Sequence, residues 1–246
     1  VQHLVLLCEN DTGYRNLIYL VSKGFSEGFY SRPRVDLELL REHHEGLIAL
    51  SACLSGAVPQ ALLRGDPAEA DRRAAELPKI FGRDNFYIEL QNHGTPEEVR
   101  LLPELAALAD RCGLPVVATN DCHYLRRSDA TIQATLLCIQ TNRVITDGRP
   151  LGFENDEYYY KTTDEMRMLF GRYEGALANT VKIAERCSLE FDFSRLYLPK
   201  FRCPAGKSAD DAMSSMAHTG LSRRVENGDI VYHNNEKEYD DRIEYE

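Results

Sequence analysis

The chain has 246 residues, of which 43% are hydrophobic and 28% charged, and its formal charge is -10. This is enough chain and enough apolar content for one large domain or two small ones. The acid excess is a poor match for a surface that neutralises many phosphates, so most of any grip on nucleic acid is expected to lie elsewhere.

No membrane span is expected, because the longest apolar stretches, such as 4–7 and 114–118, fall far short of the roughly 20 residues that cross a bilayer. The first residue is Val1 and no basic leader precedes an apolar run, so no signal peptide is read and the chain is expected to begin within a longer protein. The seven cysteines are odd in number and lack CxxC spacing, which argues against a disulfide framework or a zinc ribbon and fits a reducing cytoplasm.

In chain order, residues 3–7 read as a short apolar strand and 14–25 as a helix, with Leu17, Ile18, Leu20 and Val21 at helical spacing. A helix over 36–42, a strand over 47–52, helices over 58–63 and 67–81, and a strand over 86–90 follow. A helix over 96–112 then leads to a strand over 115–119. Strands alternating with amphipathic helices imply parallel strands joined by helical crossovers, hence an α/β barrel or a doubly wound sheet.

Beyond Thr119 the pattern predicts a helix over 129–141, a Gly- and Pro-containing loop over 146–153, a helical stretch over 163–187 and an extended segment over 197–204. One amphipathic helix is expected over 208–225. The polar run 226–246 is expected to be a linker or the start of a further domain, because it cannot form a core alone.

The sharpest chemical signal is Thr119-Asn120-Asp121-Cys122-His123, directly after an apolar strand. Asp121 and His123, two apart, can both reach one metal from the strand's C-terminal edge, where barrel active sites sit; the same residues also read as a polar loop with an Asp cap. Cys53, in the turn after the strand over 47–52, lies at the corresponding end and offers a thiolate, although a single Cys is otherwise a small core residue. His3 opens the first strand and is either a ligand or structural. His93 also follows a strand, as a candidate contact to a substrate phosphate or as a loop imidazole bonded to backbone. His43 and His44 read as a C-terminal helix signal. No GxSxG elbow or GxxxxGK loop is present, so hydrolysis would be metal-assisted, and no catalytic acid or base is assigned.

The segments HLVLLCENDTGYRNLIYLVSKGF, SRPRVDLELLREHHEGLIALSACLSGAVPQALLRGD, FGRDNFYIELQNHG, ATNDCHYLRRSDA, LLCIQTNRVITD and IAERCSLEFDF resemble, in this order, the PHP (polymerase and histidinol phosphatase) domain of bacterial DNA polymerase III alpha subunits. The resemblance runs from His3 to Pro204. It implies an α/β fold, a PHP-type distorted (β/α)7 barrel incomplete at its N-terminal side, over 1–206, with a short helical and polar tail over 207–246 leading toward the palm domain.

The resemblance further implies a site for up to three zinc or manganese ions used in 3'-5' exonuclease cleavage, whose later ligands fall on His3, Cys53, Asp121 and His123. The family's earlier ligands come before Val1 in its order, and the palm carboxylates that bind magnesium come after Glu246. For a full-length subunit the implied partners are primer-template DNA, the sliding clamp, the clamp loader and a proofreading exonuclease, with no membrane and a cytoplasmic location. Two alternatives stand beside the nuclease: a PHP domain whose site has decayed and which serves as a scaffold docking a separate proofreading exonuclease, and a free-standing phosphoesterase of the histidinol phosphatase kind.

Overall fold

A computed structural model of the chain describes residues 2–144, 153–196, 198–204 and 206–245, which divide into two compact units, Val1–Glu190 and Phe191–Glu246.

The first unit is α/β. Four strands, β1 (Val5–Cys8), β2 (Leu47–Leu50), β3 (Phe86–Leu90) and β4 (Val116–Ala118), form one sheet in the order β1-β2-β3-β4. Around it lie α1 (Asp11–Ser26), α2 (Leu37–Glu42), α3 (Ala57–Leu63), α4 (Pro67–Phe81), α5 (Pro96–Cys112), α6 (Ala130–Thr141), α7 (Thr163–Phe170) and α8 (Ala178–Arg186). The helices start where acceptor side chains satisfy their free N–H groups: Asn10 caps α1, Asp36 α2, Asp66 α4, Thr95 α5 and Thr162 α7.

Alternation along the strands separates two buried faces. Leu47, Ala49, Phe86, Ile88, Leu90, Val116 and Ala118 pack against α3, α4 and α5 in the main core. Ile48, Leu50, Tyr87 and Val117 turn to the opposite face and meet Ile183 of α8, with Val5, Leu7 and Cys187 beside them. Because both faces are covered, β2 and β4 read as continuous apolar runs rather than as alternating ones, and so does β3 apart from Glu89.

β2, β3 and β4 are parallel, as their helical crossovers predict, but β1 runs antiparallel to β2, with Val5 opposite Leu50 and Cys8 opposite Leu47. The all-parallel expectation therefore fails at the first pair. The reason lies in the connection. α1 leads away from the end of β1 and the α2 segment leads back, so that Asn16 Nδ2 donates to the Glu45 carbonyl at 2.9 Å and the Tyr19 ring lies 4.2 Å from that of His43. β2 thus starts beside the end of β1, where the Glu9 N–H donates to the Gly46 carbonyl at 2.9 Å. Glycine is required there: a Cβ on Gly13 would stand 1.8 Å from the Gly46 oxygen.

One further expectation changes. The helical stretch 163–187 divides into α7 and α8, because Gly171 ends the first and Gly175, at φ +77°, turns the chain before the second. Most of the loop expected over 146–153 lies outside the described residues, Phe153 excepted. Residues 198–204 have no regular structure, and Tyr197 is outside the described residues.

The second unit holds α9 (Ala209–Glu226), opened by a Ser208–Asp211 capping box, and α10 (Glu236–Tyr245). α10 lies within the polar run expected to be a linker or the start of a further domain. His218 Nε2 and Glu244 Oε1, 3.0 Å apart, join the two helices. Among the described residues no helix is long and apolar enough to cross a membrane.

Candidate functional site

The antiparallel start of the sheet decides where His3 stands. Because β1 runs against β2, its first residues meet the chain that leaves the end of β2. The His3 N–H donates to the Ser55 carbonyl at 3.0 Å, and His3 bridges to Gly56. His3 Nδ1 thereby lies 3.6 Å from Cys53 Sγ. The turn that presents Cys53 is tight. Ala52 has φ +65°, a conformation costly for a residue with a Cβ, and Gly56 closes so near the Ser51 carbonyl that a Cβ would stand 2.0 Å from its oxygen.

The second pair follows β4. His123 Nε2 and Asp121 Oδ1 are 3.1 Å apart, with both side chains part-exposed. The loop that carries them is gripped by residues 153–160: Asn120 Nδ2 donates to the Tyr159 carbonyl at 2.8 Å and the His123 N–H to the Tyr158 carbonyl at 2.8 Å. His93, which follows β3, holds the same loop from behind. It is 1% exposed. Its Nδ1 meets Glu98 Oε1 at 2.9 Å and its Nε2 accepts the Asp121 N–H at 3.2 Å, so both ring nitrogens are engaged within the chain and Nδ1 carries the proton. The ring stacks on Tyr158 at 4.3 Å with 1° between planes, and Tyr158 stacks in turn on Phe153, which touches His123.

These contacts set the local acidities. The Glu98 carboxyl is opposed by burial, yet the hydrogen bonds from the His93 ring and amide hold it below the usual range. Burial, with the Glu98 and Asp121 charges behind it, pushes the Tyr158 hydroxyl up to about 12. Glu165 is held at about 2 by the Tyr159 hydroxyl, which donates to it at 2.5 Å, and by Thr162.

Arg127 completes the clip on residues 153–160, reaching Asp156 at 3.0 Å and Glu157 at 2.6 Å while lying over the Tyr159 ring. Replacing Tyr159 by Phe is expected to let the Glu165 carboxyl rise from about 2 toward its ordinary 4.5, read by carboxyl NMR titration. Because the folded value is depressed, Glu165 contributes stability above pH 4.5 that is lost as pH falls toward 2. An unmoved titration in Tyr159→Phe would dismiss the hydroxyl as its cause.

Glu89 is a functional candidate that the spacing of motifs missed. It is 4% exposed, and burial pushes its carboxyl up, although the Thr119 and Gln91 side chains and the nearby Ala52 amide oppose this. Its signal in the sequence is a single carboxylate inside the apolar strand Phe86–Leu90. The aromatic segment 153–160 gave no such signal, since its partners lie far away in the chain, and neither did Glu98, an acidic residue in the first turn of α5 where a carboxylate is ordinary.

In chemical terms the sheet edge offers two donor pairs, His3 with Cys53 and Asp121 with His123. Adjacent S and N donors on one tetrahedral zinc, at bond lengths of about 2.3 and 2.0–2.1 Å, stand roughly 3.5 Å apart. The 3.6 Å and 3.1 Å separations are thus near those of neighbouring donors on one ion. Among the described residues no group of three or more His, Cys, Asp or Glu is arranged around a common centre. All seven cysteines are unpaired thiols.

Comparison with known proteins finds likenesses to a domain family and to longer proteins. A PHP domain model matches residues 1–93. The chain is 44% identical over 223 residues to a DNA polymerase III subunit alpha of Treponema pallidum, which covers 90% of the chain and 19% of the relative. It is 41% identical over 228 residues to that of Thermus aquaticus, with the same coverage. With the subunit of Helicobacter pylori it shares 33% identity over 265 residues, or 99% of the chain and 22% of the relative. The chain spans about a fifth of the length of these curated relatives. By these matches the chain is similar, over about a fifth of their length, to bacterial DNA polymerase III alpha subunits, and its residues 1–93 match a PHP domain.

Proposed function

We propose that this region holds divalent zinc or manganese at the C-terminal edge of its sheet and cleaves phosphodiesters from the 3' end, within a protein that synthesises DNA on a template. The observation that carries this reading is the arrival of His3 beside Cys53 and of Asp121 beside His123 at one sheet edge. The residue types fit such ions: thiolate and imidazole suit zinc, and a carboxylate suits zinc or manganese. Each pair supplies only two donors, so the reading requires further ligands from outside the described residues.

Bound metal would lower the pKa of a water and offset the charge of the scissile phosphate. The chain's own residues prepare the place. His93 fixes the Asp121 amide, and Glu98 fixes the His93 tautomer. The Ser51–Gly56 turn presents the Cys53 thiol to His3. Residues 153–160 hold His123 by its backbone and cover one side of its ring.

DNA synthesis on primer-template DNA is the reading that the likeness to DNA polymerase III alpha subunits supports for the whole protein, and the sliding clamp, clamp loader and proofreading exonuclease are the partners that the family resemblance implies. The acidic charge of -10 assigns most of the DNA grip to other parts of it. The scaffold reading has one observation in its favour, the lack of any three-donor group among the described residues.

Metal analysis and primer degradation on the full-length polypeptide separate the two readings. The nuclease reading expects bound zinc or manganese. It also expects that Asp121→Ala weakens metal binding on the order of 100-fold, at or above the loss typical of perturbed metal sites, and abolishes 3' degradation while templated synthesis continues. Absence of both metal and degradation in the parent protein would leave the scaffold.

A further inference from the structure

Glu89 joins the two halves of the site. It shares the α8-side face of the sheet with Tyr87, and alternation brings Gln91 of its own strand and Thr119 after β4 to that face. Its Oε1 accepts from Thr119 Oγ1 at 2.5 Å and from Gln91 Nε2 at 3.0 Å, and Gln91 Nε2 also reaches Thr119 Oγ1 at 3.1 Å. Its backbone N–H donates to Ser51 Oγ at 2.8 Å. Ser51 and Ala52 lead directly into Cys53, and Thr119 stands two residues before Asp121. Glu89 Oε2 is buried with no hydrogen-bond partner among the described residues.

A carboxylate with one orphaned oxygen is a poor choice for a residue that only fills a core, because burial of an unpaired polar atom opposes folding. Its neighbours on β3, Phe86, Tyr87, Ile88 and Leu90, are all apolar. Its contacts run to the two turns that carry the donor pairs. We propose that Glu89 is a positioning residue that fixes the Cys53 turn relative to the Asp121 loop, and so sets the spacing of the two donor pairs. This rests on the metal reading given under Proposed function.

The test titrates the protein with Co²⁺ alone and follows the thiolate charge-transfer band, which reports the Cys53 bond. Glu89→Gln keeps an acceptor for Thr119 and Gln91 and removes the charge. It is expected to fold with an unchanged far-UV spectrum and to bind Co²⁺ about 10–100-fold more weakly, the range for partners behind metal ligands, with a shifted or weakened band. In the metal-free protein, amide exchange should quicken together over 52–56 and 119–123. Should Glu89→Gln fail to fold, Thr119→Val, which keeps the shape and removes the donor, carries the same expectation. Binding by the parent with equal affinity and an unaltered band in the variants overturns the positioning role alone. No Co²⁺ binding by the parent overturns the metal reading itself, and this role with it.

Discussion

Replacing His93 by Ala is expected to lower the stability of the first unit by about 4 kcal/mol. The ring is buried and stacked on Tyr158. Its loss leaves Glu98 Oε1 and the Asp121 N–H without their partners, at roughly 1–3 kcal/mol each, and adds a cavity. For a unit of this size each kcal/mol moves the melting temperature by about 2–4 °C, so a fall of roughly 8–16 °C should be seen by calorimetry. His93→Phe keeps the stacking and loses the hydrogen bonds, and should fall between parent and Ala.

The pH profile carries a second mark of the same pair. Glu98 has a depressed folded value, so its contribution is present above its ordinary 4.5 and is lost as pH falls below that. In His93→Ala that part of the acid limb should flatten. A melt within 2 °C of the parent, where about 8 °C or more is expected, would show that the ring does not hold the loop.

Gly13→Ala should be comparably damaging, for a different reason. The new Cβ, whose position the backbone fixes, would meet the Gly46 backbone carbonyl at 1.8 Å, so no side-chain rotation relieves it. Overpacking typically costs about 1–3 kcal/mol, and a backbone clash of this depth belongs at or above the upper end. The displacement would reach the Glu9–Gly46 hydrogen bond and the β1–β2 register, and through β1 the placing of His3 beside Cys53. Urea denaturation measures the loss. The matched control is Gly220→Ala in α9, where nothing lies within 4 Å and a helix gains roughly 0.5–1 kcal/mol. Equal effects of the two substitutions would refute the packing argument.

The sequence by itself determined the secondary elements wherever local chemistry decides them. α4, α5 and β3 occupy the residues their periodicity and caps predict, 67–81, 96–112 and 86–90, because a Pro near the first turn, an Asp or Thr cap and a closing Gly act within a few residues. Of the candidate donors, Asp121 and His123 stood out as a spaced pair after a strand, while His3 and Cys53 were left open by residue chemistry and joined the set only through the family resemblance. Two things required the tertiary structure. The direction of β1 depends on how α1 and the α2 segment return the chain to Gly46, a close packing that alternation of strands and helices does not encode. The supports of the site, Glu89, Glu98 and residues 153–160, act through partners such as Thr119 and His93 that stand up to 62 residues away, as between Asn155 and His93. A carboxylate's role is set by the groups it is buried against, and only folding brings them together.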